Sequence, residues 1–353
     1  MFKEHFKMAE EELKADSKSF SYEDVLHLAS MKLYDVIVSN EADKVCQLNA
    51  ASEAFVLRNY ERWKSGFQKL EMLRQVSLEA GMEFQKQFLQ YPEYKTDPLL
   101  GVLMRQHANA CRVTAEIIWL LRGGYADGAL ARWRTLFEIS VNCLVILKYG
   151  VNAAEDYIKH GKIKAVEGMQ EYQKTANAMN QEPYSDDELE TAIRLKEKLS
   201  DGDNSFHWAR KYTRFGKIGK LSEHVDLGKW SHNYKLASKH VHADYSEMLS
   251  LFAMSEAKQD MLLAGPSNSG LVDPAHMTAI TLSQITAAFL ISRIDESSKL
   301  DHSNSMMYLS LIQKYVNDVG AEFIKCSNAS SPQPNNKIQP TPNASADLSV
   351  KGG

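Results

Sequence analysis

Three observations predict an all-α fold. Apolar residues recur at helical spacing along nearly the whole chain, no run of four or more residues alternates in strand fashion between hairpin turns, and caps and breakers divide the periodic segments. The expected architecture is a multi-helix bundle with an antiparallel central helical hairpin and a disordered C-terminal tail.

In chain order, Ser21 followed by Asp24 has the form of a capping box and starts a helix to about Ser39. A long pattern from about Asp43 to Gln90 carries Ala, Leu, Met and Phe at helical spacing until Tyr91-Pro92 ends it. The polar connector YPEYKTDP leads into a helix over Leu99 to Leu121. Arg122-Gly123-Gly124 then breaks the pattern, and Asp127 is placed to cap the next helix, 128–149. Two helices joined so closely must pack antiparallel. A helix from Gly150 to about Ala178 follows, and Ser185 with Glu188 forms a second capping box for a helix to about Leu199. Residues 201–228, broken by Gly, Asp and Asn, read as loop with short turns. Trp230 to Met254 is helical, Asp273-Pro274 starts a helix to about Ser297, and 303–326 forms the last. The remaining SNASSPQPNNKIQPTPNASADLSVKGG holds four of the nine prolines and no aromatic residue, so it cannot bury a core. The expected division is an N-terminal helical region at 1–92, a core domain at 97–326 and a tail at 327–353.

The 353 residues are 44% hydrophobic and 24% charged, an ordinary globular balance. With 41 Lys+Arg against 45 Asp+Glu the net charge is −4, which offers no general attraction to nucleic acid or anionic membrane; a basic surface must be local. The charged opening MFKEHFKMAEEELK lacks the apolar core of a secretory signal, so a cytoplasmic location is expected. The apolar runs ISVNCLVIL and ITAAFLIS are shorter than the roughly 20 residues of a membrane helix, and no span is expected. Cys46, Cys111, Cys143 and Cys326 are scattered without a CxxC pair; three lie in helical patterns and read as small buried hydrophobes.

One helix poses the chemical question. GGYADGALARWRTLFEISVNCLVIL is apolar on nearly every side yet carries Arg132, Arg134 and Glu138, and buried charge is costly unless paired. At about 100° per residue Arg134 and Glu138 share a stripe, while Arg132 points about 160° from Arg134, so the two arginines serve different places. Arg134 and Glu138 are either an i,i+4 pair that fixes register or a pocket wall offering a cation and a carboxylate.

The partner candidate is SHNYKLASKHVHADYSEML. On a helix Lys235, Ser238, His242 and Tyr245 share one side, whereas His240 lies about 200° from His242, which argues against a two-histidine metal site. His242 is either an acid–base group or an ordinary surface histidine. In FHWARKYTRFGKIGK, Arg210 and Arg214 with three lysines interleave with aromatics and no acid. That composition suits a phosphate-bearing ligand, RNA or nucleotide, or equally a solvated basic loop.

No P-loop, dinucleotide fingerprint, zinc-protease helix, nucleophile elbow or Glu-x-x-His repeat is present, so no metal or cofactor is expected. LLRGGYADGALARWRTLFEIS together with YKLASKHVHADY resembles a bacterial all-helical domain-of-unknown-function family, the one numbered fifty-six seventy-seven. The resemblance spans about residues 97–300 and implies marked positions at Arg122, Gly124, Asp127, Gly128, Ala129, Arg132, Arg134, Thr135, Glu138, Ser238 and His242. A looser comparison is with helical HEPN-type ribonucleases of bacterial defence, which place His four to six residues after Arg. That spacing is absent here, so a nuclease site would have to join Arg132 or Arg134 to His242 across helices.

Two readings follow. In one the protein is an effector acting on phosphodiesters or nucleotides, with Arg134, Glu138 and His242 catalytic and Arg132, Lys235, Ser238, Tyr245, Arg210 and Arg214 binding substrate. In the other it is a non-catalytic scaffold, a homo-oligomer or a subunit of a defence complex, whose charges are internal struts.

Overall fold

The computed structural model describes residues 2–15, 19–203, 205–242, 251–257, 262–295 and 298–329. Among them every regular element is helical and no strand occurs. The elements are α1 (Phe2–Ala15), α2 (Tyr22–Ser39), α3 (Glu41–Phe88), α4 (Pro92–Lys95), α5 (Pro98–Arg122) and α6 (Ala126–Thr175). They continue with α7 (Asp186–Ser200), α8 (Arg210–Thr213), α9 (Ile218–His224), α10 (Ser231–His242), α11 (Val272–Leu290) and α12 (Ser303–Ala329). The tail beyond 329 lies outside the described residues.

The chain divides into two compact units, Met1–Glu61 and Arg62–Gly353, rather than at the connector near residue 92. In the first, α1 packs on α2 around Ala9, Val25 and Ala29, and the expected Ser21–Asp24 capping box is formed. The second unit claims the rest of α3 because that stretch carries its largest core side chains. Trp63 and Phe67 pack on Phe323 of α12 at 5.7 and 5.6 Å between ring centres, and Phe84 packs on Phe289 of α11 at 5.1 Å. A composition shift marks linkers well, but a core boundary can fall inside a continuous helix, and here α3 is non-helical at Trp63, close to that boundary.

The helices α5 and α6 form the antiparallel pair at the centre of the second unit. Gln106 donates to Tyr157 Oη at 2.6 Å near one end, and Glu116 pairs with Arg132 nearer the turn. The turn uses Gly124 at φ 79°, a left-handed conformation that costs glycine little. Tyr125, not Asp127, is the N-cap of α6 and supplies no side-chain hydrogen bond, so the expected Asp127 cap is corrected. Gly150 at φ 70°, ψ −148° breaks α6 where the two expected helices meet. The α11 helix begins at Val272 without a side-chain cap from Asp273 and ends at Leu290, seven residues before the expected end. It lies against α6, where the Trp133 indole donates to Thr281 Oγ1 at 2.9 Å, satisfying the polar edge of a fully buried ring.

Two composition-based expectations change. Cys111 and Cys143 are buried, but Cys46 is exposed. By length and composition α6 contains a window apolar enough to cross a membrane, contrary to the reading from short runs alone; half of that window is buried inside the fold.

Candidate functional site

The charged helix meets α10, through a residue the sequence did not single out. Tyr234 donates its hydroxyl proton to Glu138 Oε1 at 2.8 Å, and Arg134 Nη2 lies 3.1 Å from that same carboxylate oxygen. Arg134 Nη2 also donates to Tyr234 Oη at 3.3 Å, and the guanidinium sits 5.3 Å from the centre of the Tyr234 ring. The three groups close a ring of mutual bonds between α6 and α10. Burial, reinforced by the Glu138 carboxylate, raises the pKa of the Tyr234 phenol, while Arg134 opposes the shift. Phe137 packs on the Tyr234 ring from α6 at 5.5 Å and holds it in place. Arg134 Nε is buried and makes no hydrogen bond among the described residues.

Arg132 serves the other side of α6. Its Nε pairs with Glu116 of α5, its Nη1 donates to Thr135 at 3.2 Å, and Glu116 also binds Arg112 at 2.5 Å. Arg132 is thus a link within the hairpin and does not join Arg134.

The expected partner, His242, does not come to Glu138. It lies eight residues beyond Tyr234, about 12 Å along a helix axis. It is exposed, and its imidazole has no hydrogen bond or ion pair among the described residues. Angular agreement around a helix ignored this axial separation. Lys235 is exposed too, and the Ser238 hydroxyl donates back to Tyr234 O at 2.8 Å. Tyr245 lies outside the described residues. The histidine that turns inward is His240, with Nε2 3.7 Å from Asp127 Oδ1 and its side chain 7% exposed.

Asp127 has a different task from the capping expected of it. Its two oxygens accept the backbone N–H groups of Phe252 at 2.8 Å and Ala253 at 3.1 Å, the start of a 3₁₀ turn over Phe252–Met254. Ser269 Oγ donates to Ala253 O at 2.7 Å, and Ser267 N donates to Gly124 O at 3.0 Å. Gly270, at φ 77°, would bring a Cβ to 2.1 Å of Phe252 O, so only glycine fits there. The GGYAD turn therefore clamps two later segments onto the N-terminus of α6.

The basic, aromatic segment folds onto the C-terminal part of α6. Tyr212 donates to buried Asp156 at 2.6 Å, and Lys159 and Lys211 approach that carboxylate at 3.2 and 3.4 Å. Burial would raise the Asp156 pKa, but the hydrogen bonds from Tyr212 and Lys159 and the charge of Lys211 outweigh it, leaving it low. The rings of His160 and His207 lie 4.7 Å apart; burial, then the charge of the neighbouring His160, pushes His207 down to about 4. Arg210 donates to Ser205 O at 2.7 Å, and Arg214 is exposed at a left-handed turn position with φ 63°. Neither arginine reaches the Arg134 group by any hydrogen bond or ion pair. No three His, Cys, Asp or Glu side chains gather as a metal-ligand set among the described residues.

Residues 100–260 match the model of a family of unknown function (DUF5677). The matched stretch contains Gly124, Asp127, Arg132, Arg134, Tyr234 and Glu138, the residues that join α5, α6 and α10. No curated protein and no solved structure matches the chain.

Proposed function

We propose that the protein is a non-catalytic helical interaction module, whose central charged residues set helix register and which works by associating with another protein. One observation carries the reading: Arg134, Glu138 and Tyr234 bond to one another across α6 and α10, so an incoming anion would have to displace Glu138 from the guanidinium. Groups held this way supply geometry rather than a free acid, base or anion site.

A second reading, a ribonuclease-like effector of anti-phage defence acting on RNA or a nucleotide, draws on the exposed Lys235 and His242, which lie about 20° apart around α10. Thermal-shift measurements with nucleotides and short RNAs, together with an RNA-cleavage assay, separate the two. The module reading expects no ligand-induced rise in Tm and no cleavage, with Glu138→Ala lowering Tm. Cleavage or a nucleotide-dependent rise that His242→Ala abolishes at unchanged Tm overturns it in favour of the effector.

A further inference from the structure

Residues 205–216 return along α6 beyond its break at Gly150 and are held there largely by rings. Asp156, Tyr157, His160 and Lys164 recur at three- and four-residue steps, so they share one side of α6. Onto that side Trp208, 3% exposed, meets Tyr157 edge-on at 5.0 Å. The ring of His207 lies 4.7 Å from that of His160, and Phe206 lies 6.3 Å from His160.

Both imidazoles are seated as neutral groups. His207 Nδ1 accepts the N–H of fully buried Ala209 at 3.2 Å, so Nδ1 carries no proton and Nε2 does. A second proton can enter only at Nδ1, where it faces that N–H and leaves an enclosed donor without its acceptor. His160 Nε2 is enclosed and has no hydrogen-bond partner among the described residues. An imidazolium there would hold an N–H with nothing to donate to. Protonating both rings would also set two cations side by side.

The surrounding charges give no relief. Lys164 of α6 and Arg210 of the segment itself both disfavour a further cation. Glu167 draws a proton toward His160, but it already pairs with Lys164 at 2.6 Å and with Lys196 of α7 at 3.6 Å. Asp156 is engaged by Tyr212, Lys159 and Lys211, and Asp203 by the backbone N–H and hydroxyl of Ser205. Burial, reinforced by the neighbouring cations, therefore lowers both pKa values, that of His207 to about 4.

We infer that His160 and His207 form an acid-operated latch: neutral, they hold residues 205–216 against α6, and protonated, they release that segment while the other helices of the unit stay folded. Release uncovers Trp208 and the Tyr157–His160 side of α6, a surface that the fold then offers only in acid. Because the folded-state values lie below the ordinary 6.5, closure is complete above about pH 6.5 and is lost as pH falls, for His207 down to about 4. Within its window each histidine multiplies the open population by up to about tenfold per pH unit.

Hydrogen exchange of the full chain tests it at the amides of Ala209, Thr213 and Arg214, which bond to His207 Nδ1, Ala209 O and Arg210 O. Their protection factors, corrected for the intrinsic pH dependence of exchange, are expected to fall by about tenfold or more between pH 7 and pH 5. His207→Asn keeps an acceptor near the Ala209 N–H and cannot be charged; it shrinks that fall by about fivefold or more while amides of α5 respond as in the wild type. Should His207→Asn lack protection already at pH 7, His160→Phe, a ring without a proton to gain, is measured in its place and shrinks the fall by about threefold or more. Wild-type protection that stays constant from pH 7 to pH 5 overturns the latch, as does a fall that the variant leaves undiminished, which would report acid unfolding through other groups. Imidazole resonances followed by NMR in the unaltered chain give a further check: both rings are expected to titrate below pH 6, and a pair titrating at the ordinary 6.5 overturns the inference.

Discussion

Tyr234→Phe removes one oxygen and leaves the aromatic packing on Phe137 in place. That oxygen donates to Glu138 at 2.8 Å and accepts from Arg134 at 3.3 Å. A hydrogen bond to a charged partner contributes about 1.5–3 kcal/mol. The Arg134 and Glu138 side chains are 29% and 31% exposed, so water replaces part of what is lost and the expected cost falls to about 1 kcal/mol. In a unit of this size that lowers Tm by roughly 2–4 °C. Urea midpoints of Tyr234→Phe, Glu138→Gln and the double variant give the coupling directly, expected at about 0.5–1 kcal/mol because the groups touch. If Tyr234→Phe leaves the midpoint where it was, or the two changes add within about 0.3 kcal/mol, the ring of bonds between α6 and α10 is not a strut and does not set helix register.

Asp127→Ala leaves two enclosed backbone N–H groups without their acceptor and is expected to cost about 2 kcal/mol, with faster hydrogen exchange at Phe252 and Ala253; unchanged exchange at both amides counts against the clamp. His107 is buried, and burial pushes its pKa from 6.5 down to about 4 against a hydrogen bond with the Ser77 backbone. Its folded-state pKa is depressed, so the stability it contributes is complete above about pH 6.5 and lost as pH falls through 4, about 2 kcal/mol of it between pH 7 and 5. His107→Gln is expected to flatten the pH dependence of unfolding free energy by that amount, and a slope identical to wild type refutes it. Gly81→Ala would place a Cβ 2.3 Å from the enclosed His107 ring, with an expected loss of about 1–3 kcal/mol by chemical denaturation; a neutral result means that α3 and α5 do not approach so closely.

Part of the site is legible in helical rotation alone. Helical rotation separated Arg132 from Arg134, and their partners do lie on different helices, Glu116 of α5 and Tyr234 of α10. The same rotation placed Lys235 and His242 together but carried no information on which of them lies level with Glu138. Tyr234 is level with it, and the only local signal was its position four residues before Ser238. Asp127 looked like a cap because it follows a glycine break, yet residues more than a hundred positions later compete for its oxygens and win.

The sequence by itself determined the all-helical class, the two capping boxes and the breaks at Gly124 and Gly150, because periodicity, caps and left-handed glycines act within a few residues of one another. Tertiary structure alone decided that α3 crosses from one compact unit into another, that Asp127 ties down a distant turn, and that Arg134 and Glu138 close on Tyr234. Those outcomes depend on which helices lie side by side and at what height, and that is set by burial of large side chains far apart in the chain rather than by any local preference.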